Sequence, residues 1–218
     1  MGWTIDCVVV GPIQCNCYIL ADSISRQAYL IDPGAESKEL LSHLKRKQWD
    51  LQGMLITHAH IDHVGGIEMI RADFPATVYF HTADRFLYEN LAMQADLFGA
   101  TPQMLQATQP QVGSGAVEHD QQFPFGNRQI CVLHTPGHTP GSVCFYASGD
   151  QPVVFTGDTL FEGSIGRTDL WGGSFEQIIQ SIHGRLLTLE DRVQVLPGHG
   201  PATTIGRERR HNPFLLSY

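Results

Sequence analysis

Met54-Leu55-Ile56-Thr57-His58-Ala59-His60-Ile61-Asp62-His63-Val64-Gly65-Gly66 is the stretch from which the rest of the chain can be read. A short apolar run ends at Thr57, and four potential donors follow within six positions: His58, His60, Asp62 and His63. Imidazoles and a carboxylate at this density are what zinc or iron takes as ligands. Residues two apart on extended chain face the same way, so His58 and His60 can converge on one ion. Asp62 and His63, just past the turn, can face a second. The alternatives, a solvated loop or a purification tag, sit poorly with a cluster that is internal, irregularly spaced and preceded by a strand. Val64 and the Gly65-Gly66 pair suit a loop that closes on a core and starts a helix.

Outward from this loop, 218 residues with 42% hydrophobic content suffice for one sizeable globular domain, so residues 1–218 are read as a single domain. The formal net charge of −8 argues against a general nucleic-acid surface. Five cysteines, an odd number, do not suggest a disulfide framework, and a reducing compartment is the simpler expectation. No apolar run approaches the roughly 20 residues of a membrane span. The first residues lack the basic start and apolar core of a secretory signal. A cytoplasmic protein without nucleic-acid or membrane partners is expected.

Short β-rich runs open the chain at residues 4–10, 17–21 and 27–31. Cys15 and Cys17, two apart, read as one face of a strand rather than as metal ligands. Asp32 is either a turn residue or an acceptor that orients a metal-bound histidine. Leu40, Leu41 and Leu44 predict a helix over 36–47. A buried strand over 53–57 then leads into the histidine loop. Further helices are predicted over 63–74 and 82–98, with a strand at 77–80 between them and a loop over 99–115. A hairpin turning at Gly126-Asn127 spans 117–132. Strands follow at 130–134, 142–146, 153–156 and 193–196. Ser174 caps a helix whose buried stripe is Phe175, Ile178, Ile179, Ile182 and Leu186. A short basic tail (Arg207, Arg209, Arg210) ends the chain. Strands and helices alternate in two successive halves, which fits two sheets packed face to face with helices outside and a site at one edge.

Three later turns repeat the pattern of a donor after a strand: Pro136-Gly137-His138, Thr156-Gly157-Asp158 and Pro197-Gly198-His199. Together with the first loop, in this order, they resemble the metallo-β-lactamase superfamily, from the first strands to about Pro201. The resemblance implies an α/β fold, the αββα four-layer sandwich, with two divalent metal ions. It assigns His58, His60 and His138 to one ion and Asp62, His63 and His199 to the other, with Asp158 bridging. Asp62 and Asp158 are then also the catalytic carboxylates. Zinc is the expected metal, although the same donors accept iron or manganese. Within the superfamily the chain is most similar to glyoxalase II-like hydrolases, through residues 156–161, 163–169 and 203–209. It resembles their shorter branch, without the C-terminal helical domain that supplies cationic contacts to glutathione. Arg167 falls where the longer enzymes hold a basic residue in the substrate loop, and is the candidate substrate-binding residue. The histidines outside these motifs (His43, His81, His119, His134, His183 and His211) read as structural.

Such a centre would acidify a water shared by two cations and direct the hydroxide at the carbonyl of a small-molecule thioester, glutathione-derived thioesters among the candidates. A thiolate leaves without help, because free thiols ionise near about pH 8.5. The rival expectation is a persulfide dioxygenase on the same fold, with one iron held by His58, His138 and Asp158. A β-lactamase, a nuclease and a non-catalytic binding protein fit the sequence less well.

Overall fold

The computed structural model describes residues 2–97 and 115–216. Contacts gather the chain into two compact units, Met1–Ala116 and Val117–Tyr218.

Alternating and β-branched residues at the start of the first unit form β1 (Trp3–Val10) and β2 (Cys15–Asp22), an antiparallel pair in register from Trp3 opposite Asp22 to Val10 opposite Cys15. β2 is buried along its whole length, as expected of a central strand, while β1 is the sheet's edge. β3 (Gln27–Ile31) returns beside β2. Helix α1 (Lys38–Lys47) then crosses to β4 (Asp50–Leu55), which runs parallel to β3. Ser37 caps α1 by accepting from the Leu40 amide at 3.1 Å, and Leu40 and Leu44 form its buried face. After β4 come α2 (Ile61–Val64), α3 (Ile67–Asp73) and β5 (Val78–Phe80), the last parallel to β4. A 3₁₀ turn (Thr82–Asp84), α4 (Arg85–Tyr88) and α5 (Leu91–Leu97) lead to β6 (Gly115–Ala116). The six strands lie in sequence order.

The helix expected over 63–74 starts two residues early and is split at Gly65-Gly66. A Cβ at Gly65 would lie 2.7 Å from the Gly34 carbonyl oxygen, and one at Gly66 2.4 Å from that of Ala35. The glycines let the turn after β3 pass across the helix start. The helix expected over 82–98 is three short pieces. Asn90 donates its side-chain amide to the Phe86 carbonyl at 2.7 Å, in competition with the backbone ladder. Most of the loop expected over 99–115 lies outside the described residues.

The second unit contains β7 (Gln122–Phe125), β8 (Arg128–His134), β9 (Val143–Ala147), β10 (Val153–Gly157), the hairpin β11 (Leu160–Phe161) and β12 (Ser164–Ile165), helix α6 (Phe175–Ser181), β13 (Gln194–Pro197), β14 (Thr203–Thr204) and helix α7 (Ile205–His211). The main sheet has the order β14-β13-β10-β9-β8-β7. Its core joins Val154, Leu160, Ile178, Ile182, Val195 and Ile205. α6 is capped by Ser174 as expected and ends in a π-helical turn over Ile182–Leu186. The basic tail is a helix: Thr204 caps α7 by accepting from the Arg207 amide at 3.2 Å. Its arginines are paired, Arg207 with Glu162 at 3.0 Å and Arg209 and Arg210 with Asp191.

Strand direction places the candidate site. In the first unit β3, β4 and β5 are parallel, and Asp32, the histidine loop and Asp84 follow their carboxyl ends in turn. In the second, β8, β10 and β13 run the same way, because β9 is antiparallel to both β8 and β10 while β13 is parallel to β10. His138, Asp158 and His199 follow their carboxyl ends. Loops at strand ends can carry chemistry without disturbing the ladder that holds them.

Candidate metal centre

In the first unit the centre is built on Asp32, which is 1% exposed and takes a left-handed backbone (φ 50°) before Pro33. Its carboxylate accepts from the Thr57 amide (2.8 Å), the Thr57 hydroxyl (2.6 Å) and His63 Nδ1 (2.9 Å). A proton on Nδ1 leaves Nε2 as the His63 donor atom, and this nitrogen lies 3.7 Å from Asp62 Oδ2. With the Thr57 proton committed to Asp32, the hydroxyl oxygen accepts from His58 Nδ1 at 3.1 Å. That turns His58 Nε2 towards His60 Nδ1, 3.0 Å away. One buried carboxylate thus sets the donor atoms of two histidines, the role of orienting acceptor considered for it in the sequence.

The loop backbone is braced by two residues that sequence reasoning missed. Asp84, after β5, accepts from the Ala59 amide at 3.0 Å. Gln94 on α5 accepts from the Ile61 amide at 2.9 Å and donates to the Ala59 carbonyl at 3.1 Å. Both are buried. No signal in the sequence marks them, because a single polar residue in an amphipathic stretch carries no sign of its partner. Cys15 and Cys17 lie on β2 as free buried thiols, the Cys15 sulfur 3.8 Å from His63 Nδ1.

In the second unit, Ser181 of α6 donates to the Pro136 carbonyl at 2.7 Å, and the Ser174 amide to that of Gly137 at 2.8 Å, fixing the turn that carries His138. His138 Nδ1 donates to the Arg167 carbonyl at 2.8 Å, which again selects Nε2 as the donor atom. His138 Nε2 lies 3.8 Å from Asp158 Oδ2, and His199 Nε2 lies 3.7 Å from Asp158 Oδ1. The two carboxylate oxygens therefore face different histidines. These separations are too long for hydrogen bonds. They lie within the roughly 4 Å that two ligands of one cation can span at about 2.1 Å each. The Gly198 amide donates to the Gly157 carbonyl at 2.8 Å and joins the Asp158 and His199 turns.

The structure thus gathers His58, His60, Asp62 and His63 in one unit and His138, Asp158 and His199 in the other, in each case with ring nitrogens and carboxylate oxygens spaced as co-ligands. The donor set fits divalent cations. Arg167, the candidate substrate residue, is exposed and held in a fork by Asp169, Nε to Oδ1 at 2.7 Å and Nη2 to Oδ2 at 2.8 Å. Those hydrogen bonds hold the Asp169 carboxyl down at about 2 and raise the guanidinium. The other histidines are structural where their bonds are visible: His43 meets Asp6 at 2.9 Å, His134 the Pro140 carbonyl at 3.0 Å, and His81 accepts from the Ala83 amide at 3.3 Å. Among the described residues, no helix is long and apolar enough to cross a membrane.

Residues 10–199 match the sequence profile of the metallo-β-lactamase superfamily. Hydroxyacylglutathione hydrolase GloC of Haemophilus influenzae is 38% identical over 214 residues, covering 98% of each chain. Among solved structures, the BLEG-1 B3 metallo-β-lactamase superposes with a TM-score of 0.88 at 40% identity, over 97% of this chain and 99% of that one. TTHA1623 in a di-iron-bound form gives 0.85 at 38% identity, over 96% and 100%.

Proposed function

The chain belongs to the metallo-β-lactamase superfamily, and we propose that it is a binuclear metal-dependent hydrolase of the glyoxalase II type, cleaving small-molecule thioesters in the cytoplasm. The observation that carries the binuclear reading is Asp158, with one oxygen towards His138 and the other towards His199. A carboxylate presented in this way suits a bridge between two cations. On this reading His58, His60 and His138 hold one ion, Asp62, His63 and His199 the second, and Asp158 both. Zinc is the metal we expect. Residues 1–218 act as one domain, a reading supported by a family match that runs through the boundary between the two units.

When bound, a pair of divalent cations lowers the pKa of a water and polarises an acyl carbonyl. The chain's own residues do the rest. Asp32 and the Arg167 carbonyl keep His63 and His138 in one tautomer, so their donor atoms need not reorganise during turnover. Asp62, beside His63, and Asp158 are on this reading the catalytic carboxylates, and no further base from the chain is needed. A thiolate leaving group needs no proton donor, which favours thioesters over amides. Arg167 keeps its Nη1 face for an anionic substrate group, while its pairing with Asp169 fixes the side chain. A glutathione-derived thioester is consistent with the GloC similarity.

The test is metal analysis of the purified protein with three parallel assays. Two metals per chain with hydrolysis of a glutathione thioester is the expected result. One iron per chain with oxygen uptake on glutathione persulfide would replace the proposal by a dioxygenase. Faster turnover of a β-lactam than of any thioester would move it towards the activity in the name of BLEG-1.

A further inference from the structure

Glu208 on α7 is 1% exposed, and a carboxylate so buried is costly unless its oxygens meet donors. It meets three: the Thr203 hydroxyl at 2.6 Å, the Gly163 amide at 2.8 Å and the Asn212 side-chain amide at 2.9 Å. Asn212, wholly buried, also donates to the Ser164 carbonyl at 3.0 Å. Gly163 is a turn residue of the β11–β12 hairpin, and Ser164 opens its return strand. A glutamate of the C-terminal helix and the asparagine that ends it thus grip one turn residue and its neighbour in a hairpin some 45 positions earlier.

What this hairpin joins gives the grip its meaning. It leaves two residues after Asp158 and returns two residues before Arg167, the residue whose carbonyl accepts from His138 Nδ1. The residue that follows its return strand lies against the donors: a Cβ at Gly166 would fall 1.7 Å from the Asp158 carbonyl oxygen and 3.3 Å from the His138 Cβ. The Thr156 hydroxyl donates to the Leu160 carbonyl at 2.9 Å and ties the outgoing strand to β10. Within the hairpin only two residue pairs, Leu160 with Ile165 and Phe161 with Ser164, hold the turn.

We infer that Glu208 is a positioning residue for the His138–Asp158–His199 donor set, acting through the hairpin that it clamps. By fixing Gly163, it sets the pitch of the hairpin and hence the aim of the Arg167 carbonyl, which holds His138 Nε2 towards Asp158. This rests on the metal-centre reading above.

Zinc-loaded protein competed against a chelator tests it, with cobalt-substituted protein as the spectroscopic readout. Glu208→Gln keeps the volume but turns one acceptor into a donor. One of the two ions is expected to bind about 10–100-fold more weakly, as for other lost outer supports of metal ligands. The cobalt d–d bands shift, and kcat falls with KM unchanged. Arg209→Gln is the control. Arg209 seats the same helix by donating to the Leu187 and Leu189 carbonyls at 2.6 and 2.8 Å, without touching the hairpin. It should lower Tm and leave metal affinity unchanged. Wild-type affinity in Glu208→Gln overturns the inference, and so does an equal loss in Arg209→Gln, which would make the effect one of general helix stability. Should Glu208→Gln not fold, Asn212→Ala removes the donor shared by Ser164 and Glu208, leaves the Gly163 amide on Glu208, and must weaken the same ion for the inference to stand. Failure of the wild-type protein to hold any metal would remove both this inference and the function proposed above. Metal binding that is indifferent to Glu208 would remove this inference alone.

Discussion

Asp32 shows at the scale of one side chain how little of a metal centre consists of its ligands. Its oxygens hold Thr57 and His63 directly, and His58 through Thr57. Asp32→Asn would keep the shape but replace an acceptor by a donor facing His63 Nδ1. We expect about a 10–100-fold loss of metal affinity, with a larger loss of hydrolysis than of folding stability, read by chelator competition beside a thermal melt. Unchanged affinity would mean that the tautomer of His63 is set elsewhere. His199→Ala removes one of the two groups facing Asp158; on the binuclear proposal, metal content falls from two ions to one and activity by at least about 10²-fold. The candidate donors are legible in the sequence, because imidazole and carboxylate at strand ends advertise their chemistry. Asp84, Gln94, Glu208 and Asn212 are not. Each is an ordinary polar residue until the fold brings it to a backbone amide or carbonyl that would otherwise be unmet.

At the scale of elements, the strands were the most readable part, since alternation and β-branched runs report burial directly. Helices were read less well where glycine or asparagine acts against periodicity, as at Gly65-Gly66 and Asn90. α7 was missed because its inward face is short and its arginines suggest a solvated tail; pairing with Asp191 and Glu162 gives them a surface to lie on. The cap of α1 is a simple test, as Ser37→Ala should cost about 1 kcal/mol by denaturant titration. The β2–β3 pair makes a sharper prediction. Burial drives the Cys17 thiol far above its ordinary 9.0 and raises the Tyr29 hydroxyl from 10.0 to about 12. The unfolded chain releases these protons first, so stability present below about pH 9 declines as pH rises towards 12. Thermal melts from pH 8 to 11.5 should show this decline, and Cys17→Ala should flatten it. A slope identical in the variant would assign the alkaline loss to other groups.

For the whole molecule, the prediction concerns cooperativity. Two compact units within one family match should unfold together if they share bound ions, so calorimetry of the loaded protein is expected to show one transition. Chelation should lower its midpoint, in proportion to the binding free energy of the ions, and separate resolvable steps would count against the single-domain reading. The fold class was accessible from the alternation of strands and helices, and the family match and structural similarity agree with it. The boundary at Ala116 follows the run rich in Gln, Pro, Thr and Gly over 99–115, a composition that marks a loop without saying that two compact units meet at its end.

Every candidate donor lies beyond the end of a strand, in a turn or in the short helix α2, and no ladder position is occupied by one. The sheets therefore have no stake in which cation arrives. Cultures fed zinc, iron or manganese should yield proteins with superimposable far-ultraviolet spectra that differ in colour and turnover, so that the supply of ions in the growth medium, rather than the polypeptide, decides which enzyme is harvested.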